Sequence, residues 1–111
     1  MMRKALLLVL ALGIVAGMVA AADAKKAAKA ARTGKQVYEL VCIACHGTGA
    51  AGAPKFGDKA WIELEKKEGF KGLVKDAIKG ERAMPPKGGC TDCSDKEIQA
   101  AVRYMIDASK K

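Results

Sequence analysis

Cys42-Ile43-Ala44-Cys45-His46 is the stretch on which this chain turns. Two thiols three residues apart, followed at once by an imidazole, form the pattern of c-type haem attachment. The spacing serves the chemistry. Each thiol adds to one vinyl group of the macrocycle, and the adjacent His is held beneath the iron as its proximal ligand. Cys42, Cys45 and His46 therefore supply attachment and ligation from a single turn of chain. A redox dithiol of the thioredoxin kind would sit beside a βαβ pattern, and no alternating β-branched strand stands near Cys42.

A second pair, Cys90-Thr91-Asp92-Cys93, raises a four-cysteine zinc module as a rival, because two such knuckles are how zinc ribbons hold metal. Cys45 and Cys90 lie much further apart than the roughly 15–20 residues of the usual ribbon, which weighs against it. The N-terminus weighs against it too. Met1-Met2-Arg3-Lys4 precedes an apolar and glycine run from Ala5 to Ala22, and the composition changes at Asp23-Ala24-Lys25-Lys26. A basic start, an apolar centre and small residues at Ala20-Ala21-Ala22 make a secretory signal peptide over residues 1–22, with cleavage before Asp23. The alternative is a leader retained as a membrane anchor, since the run just reaches the lower length of a span. Its second half is mostly Ala and Gly, which makes a poor permanent helix. Either way the working domain is expected outside the cytoplasm, in the periplasm, where oxidising conditions permit a disulfide between Cys90 and Cys93.

Residues 23–32 are Ala and Lys with little to bury, and are expected to form a flexible arm. Residues 33–111 then form one domain. A chain with one Trp, two Tyr and two Phe has little aromatic bulk for a core. A large apolar macrocycle tied at two points would supply the missing surface, so folding is expected to depend on haem. The formal charge is +8, and of the 20 Lys and Arg only Arg3 and Lys4 fall in the leader. That excess favours acidic protein partners through salt-dependent steering. Nucleic acid is excluded as a partner, because the lysines are scattered and no groove-binding motif is present.

Helices are read from caps and periodicity. Thr33 with Gln36 forms a capping box, and Val37, Leu40 and Val41 continue at helical spacing into the haem motif. From Gly47 to Gly57 the chain is rich in Gly, Ala and Pro, a loop able to pass close to a flat ligand. Asp58 caps a short helix carrying Trp61, Ile62 and Leu64, stopped by Gly69. A third covers about residues 71–79, with Leu73, Val74, Ala77 and Ile78 on one face and Gly80 beyond its end. Ser94 and Glu97 form a second capping box, opening a helix whose stripe is Ile98, Ala101, Val102 and Met105. No stretch reads as a strand. The expected fold is all-α, about four helices around one covalently attached haem, with no significant sheet.

The second axial ligand must come from the remaining donors. His46 is the only histidine. Beyond the leader the thioethers are Met84 and Met105, and Met105 lies on the apolar stripe of the last helix, where packing is its role. Met84 stands in Ala83-Met84-Pro85-Pro86, where Pro85 biases it to an extended conformation and the two prolines stiffen the chain beyond it. A stiff loop holds a weak, neutral ligand at small ordering cost. His46 and Met84 together favour reduced iron and raise the reduction potential relative to bis-histidine ligation.

With CIACHG, the loop GAPKFGD, AMPPKGGCTDCSDKEI and the closing AVRYMID in view, the chain resembles a class I bacterial cytochrome c, and within that class the cytochrome c5 family. The resemblance covers about Thr33 to Ala108. It implies a helical fold around the haem with the first and last helices crossing, and Gly34, Tyr38 and Tyr104 at that crossing. It implies thioethers at Cys42 and Cys45, iron ligation by His46 and Met84, and a small disulfide loop between Cys90 and Cys93 that braces Met84. It further suggests a hydrogen bond from the His46 ring to the Pro54 carbonyl, and a Trp61 contact to a haem propionate, with a plain core tryptophan as the alternative.

The function expected is a monohaem electron carrier, not an enzyme, passing single electrons between redox proteins by outer-sphere transfer at the haem edge. No site is left for substrate. Partners are expected to dock with acidic faces, guided by Lys55, Lys59 and Lys87, and a membrane is involved only where the leader is uncleaved. A haem sensor or peroxidase-like module, with a labile Met84, and the zinc-binding module are the competing classes.

Overall fold

Thr33 opens the first helix with both halves of its capping box in place. Its Oγ1 accepts from the Gln36 N–H at 3.1 Å, and Gln36 Oε1 accepts from the Thr33 N–H at 2.8 Å. In the computed structural model, which describes residues 30–111, this helix runs as α1 (Gly34–Val37), a π-helical turn (Tyr38–Cys42) and α2 (Ile43–His46). The leader, its anchor alternative and nearly all of the arm lie outside the described residues. The π turn changes which residues face inward, because one extra residue per turn breaks the 3.6-residue phase. Val37, Tyr38, Cys42 and His46 are buried, whereas Leu40, expected on the apolar face, is 55% exposed.

The loop after His46 reverses through Gly49 (φ 83°), a 3-10 turn over Ala50–Gly52 and Gly57 (φ 83°). Asp58 Oδ1 then accepts from the Ala60 N–H at 2.9 Å, and α3 runs over Ala60–Lys79. Gly69 interrupts it at φ 76°, ψ 158°, so two helical segments meet at the residue expected to stop the first. Such dihedrals belong to glycine alone. Beyond Gly80 the chain makes a tight turn closed by Glu81 and Met84, each donating its N–H to the other's carbonyl, at 3.0 and 2.9 Å. That isolated bridge is as near as the described residues come to a sheet. A 3-10 turn (Pro86–Gly89) leads to α4 (Asp95–Ser109), whose capping box joins Ser94 and Glu97.

The core forms where α4 crosses the first helix. A Cβ on Gly34 would collide with the Ala100 carbonyl and stand 3.1 Å from Tyr104 Cβ, so the crossing requires glycine there. Tyr38, Phe56 and Tyr104 close the crossing as three mutually tilted rings, with centroids 4.7–5.5 Å apart. Edge-inclined aromatic pairs of this kind add to the area they bury. Ile98, Ala101, Val102, Met105 and Ile106 of α4 are all buried, and Trp61, Leu73 and Ala77 meet them from α3. Across the outside of this contact Arg103 sits 3.7 Å above the Phe70 ring, and Glu65 pairs with Lys110 at 2.9 Å.

Arg32, assigned to the arm by composition, is tied into the fold. Its Nε donates to Glu97 Oε2 at 2.7 Å and its backbone N–H donates to the same oxygen at 2.8 Å. The Arg32 guanidinium, with the Ser94 N–H, holds the Glu97 carboxyl far below its ordinary value. Among the described residues no helix is long and apolar enough to cross a membrane.

Candidate functional site

His46 ends α2, buried, with its ring centroid 5.3 Å from that of Trp61. Its Nδ1 lies 2.8 Å from the Pro54 carbonyl oxygen. A carbonyl only accepts, so Nδ1 carries the proton and the Nε2 lone pair is left for a metal. The loop that brings Pro54 there is anchored beside it, where Phe56 N–H donates to the His46 carbonyl at 2.7 Å. Cys42 and Cys45 share this end of the helix. Cys42 is buried and Cys45 exposed, and burial pushes the Cys42 thiol up to about 11.

All three residues line one cavity of about 690 Å³. Its walls are largely aliphatic: Val41, Leu64, Leu73, Ala77, Val102 and Met105. Met84 joins the same lining, half-buried, from the turn that follows α3. A volume of this size is that of a cofactor site, and a well-packed chain leaves such a space only for something that fills it. Apolar walls, two thiols, a free imidazole nitrogen and a thioether are the donors and surroundings that haem c requires, so the residues present fit that group. Met105, expected to serve packing, is 2% exposed and also reaches the cavity wall.

Cys90 and Cys93 are joined to each other as a disulfide, and Cys93 is followed by Ser94, so this pair lacks the histidine of the first. The four cysteines do not gather into one site, which removes the geometric basis of a zinc module. The Trp61 indole N–H donates to the Lys55 carbonyl at 3.0 Å, and the ring packs on His46, as the core alternative for this tryptophan would have it. The guide lysines divide. Lys55 and Lys59 are both exposed, Lys59 Nζ making only a 3.4 Å contact to the Ser109 carbonyl, but Lys87 is half-buried and its Nζ donates to the Cys93 carbonyl at 2.7 Å and pairs with Asp95 at 3.2 Å.

Several cavity residues carry no motif and were not singled out by sequence. Lys67 and Arg82 are the cations of the lining, alongside Glu63, Glu68, Asp76 and Glu81. Glu68, Asp76 and Glu81 bring carboxylate oxygens within 4.8 Å of one another, and the Asp76 carboxyl beside Glu68 raises its pKa above the ordinary value. The sequence signal for Lys67 and Glu68 was the Glu-Lys-Lys-Glu run itself, while Asp76, Glu81 and Arg82 come from beyond the break at Gly69.

Comparison with known proteins agrees with this geometry. A family model described as cytochrome C oxidase, cbb3-type, subunit III matches residues 29–105. Cytochrome c5 of Azotobacter vinelandii is 49% identical over 77 residues, spanning 68% of this chain and 93% of its own. Cytochrome c5 of Ectopseudomonas mendocina is 45% identical over 84 residues, 74% of this chain and 97% of its own. Among solved structures, a chain from the electron transfer complex of nitrite reductase with cytochrome c superposes with a TM-score of 0.64 at 43% identity, covering 68% of this chain and 93% of that one. The chain belongs to the cytochrome c family, as a c5-type monohaem electron carrier with covalently attached haem c.

Proposed function

We propose that Cys42 and Cys45 carry the two thioethers, that His46 and Met84 hold the iron, and that the protein passes single electrons between redox proteins without itself catalysing a reaction. The observation that supports this most is the meeting of all four donors on one apolar cavity. Haem c, when bound, supplies a one-electron iron couple. The chain's own residues do the rest. Pro54 orients the His46 ring through Nδ1, and Trp61 packs on that ring and limits its rotation. The aliphatic walls exclude water, and the Cys90–Cys93 disulfide closes the chain just beyond the Met84 loop. Were His46 and Met84 both to hold the iron, no position on it would remain for a substrate.

Electron exchange takes place at the exposed part of the lining, to which Cys45, Ala50, Ala51 and Gly52 belong together with Ala60, Glu63, Lys67, Glu81, Arg82 and Ala83. The partner class is a redox protein with an acidic docking face. Lys55 and Lys59 are the exposed cations among the expected guides, while Lys87 is engaged within the fold. The leader at residues 1–22 directs the chain to the periplasm. In a stopped-flow assay with an acidic redox protein, transfer is expected to slow as salt is added, and the reduced protein is expected not to bind carbon monoxide. Rapid carbon monoxide binding by the wild type would instead support a sensor or peroxidase-like module.

A further inference from the structure

We propose that Gly80 and Lys87 are positioning residues that clamp the Met84 loop from its two ends, so that Lys87 serves the ligand side of the site rather than partner docking. The proposal rests on Met84 being the second axial ligand.

At the first end, Gly80 caps α3, donating its N–H to the Asp76 carbonyl at 2.8 Å. It adopts φ 86°, ψ 148°, a conformation closed to side-chain-bearing residues. The reason lies in what rests on it. A Cβ at Gly80 would stand 2.9 Å from the Met84 carbonyl oxygen, 2.8 Å from Pro86 N and 3.0 Å from Pro86 Cδ. These are backbone and ring atoms, which cannot swing aside as a flexible side chain would. The loop backbone is thus seated directly on the bare Cα of Gly80, and the mutual Glu81 and Met84 hydrogen bonds fold the intervening residues against it.

At the second end stands Lys87, at φ 56°, ψ 25°, a left-handed conformation usually left to glycine. Gly88 and Gly89 come next, yet the side chain at this position is long and charged. Its ammonium crosses to the disulfide turn and the start of α4, donating to the Cys93 carbonyl at 2.7 Å and pairing with Asp95 at 3.2 Å. Only 26% of the side chain is exposed. A strained backbone persists when its surroundings hold it, and here the holding contacts are those of the ammonium. Pro85 and Pro86 between the two anchors transmit the restraint with few freely rotating bonds.

Two holoprotein variants test the clamp, each compared with wild type and with Met84→Ala, at matched haem content by pyridine haemochrome. In Gly80→Ala, the sulfur-to-iron charge-transfer band of the oxidised protein is expected to weaken and reduced protein to bind carbon monoxide. Lys87→Met keeps the aliphatic stem and removes the donors. It is expected to raise the population of the Met84-detached form about tenfold, in line with loss of a charged hydrogen bond, read as a tenfold rise in the rate of carbon monoxide binding. Lys87→Arg, which keeps the charge, is expected to restore part of the wild-type rate. If wild type itself lacks the band, or Met84→Ala keeps it, the ligand assignment fails. If wild type has the band and Lys87→Met leaves both band and carbon monoxide rate unchanged, the clamp is overturned, whether or not Gly80→Ala folds.

Discussion

At the scale of single residues, the site is organised by who holds a hydrogen-bond partner. His46 Nδ1 faces the Pro54 carbonyl, which fixes the tautomer before any iron arrives. Trp61 holds its N–H against the Lys55 carbonyl, so Trp61→Phe removes one part-buried hydrogen bond and leaves the packing on His46. It is expected to destabilise the holoprotein by about 1 kcal/mol in a denaturant titration, with little change in reduction potential. A large change in potential would mean that the indole serves the haem directly. Gly34 makes the companion case. Gly34→Ala places a methyl group into the Ala100 carbonyl. It is expected to cost roughly 1–3 kcal/mol by separating the two helices, measured by thermal or urea unfolding. The chemistry-bearing residues were legible in the sequence because attachment demands fixed spacing, and because one histidine and one loop methionine leave few assignments. The Trp61 donor was not legible. Its partner is a backbone carbonyl six residues away, and sequence carries no sign of that.

Elements show a sharper division. Capping boxes at Thr33 and Ser94 were readable because their donors and acceptors lie three residues apart, within the reach of the sequence pattern. The break at Gly69 was readable because only glycine adopts its dihedrals. The π turn over Tyr38–Cys42 was not, because it depends on how Tyr38 packs with Phe56 and Tyr104 from distant parts of the chain, and it turns Leu40 outward. Arg32 was assigned to the arm for the same reason, its partner Glu97 lying on the last helix. That partnership gives the α4 end a pH dependence with a definite sign. The folded-state carboxyl is held well below its ordinary value of 4.5, with the Arg32 hydrogen bond the largest cause and the Ser94 N–H next. On acidification the unfolded chain takes up this proton first. The stabilisation is therefore whole above about pH 4.5 and is lost as pH falls below it. The difference in urea midpoint between wild type and Glu97→Gln is expected to be constant through neutral pH and to shrink below about pH 4.5. A difference that grows on acidification would contradict this.

For the molecule as a whole, the cavity dominates. A space of about 690 Å³ among so few helices means that the residues lining it, Leu64, Leu73, Val102 and Met105 among them, have nothing to pack against on one side without an occupant. The double variant Cys42→Ala, Cys45→Ala, which removes covalent attachment, is expected to lose its cooperative thermal transition while the wild-type holoprotein keeps one, as circular dichroism would show. A sharp transition in the haem-free variant would mean that the helices carry the fold alone. The all-helical class and the crossing of first and last helices were foreseeable, from the caps and from the family resemblance respectively. The polar rim of Lys67, Glu68, Asp76 and Arg82 was not, because it is assembled from both sides of the Gly69 break.

An iron site held by His46 and Met84 together is the central proposal. The most direct measurement is the proton NMR spectrum of the reduced holoprotein, in which a methionine methyl bound to haem iron is displaced far upfield by the macrocycle. Such a signal is expected in wild type, retained in Met105→Leu and lost in Met84→Ala. Its absence from wild type, or its survival in Met84→Ala, would contradict the closed site.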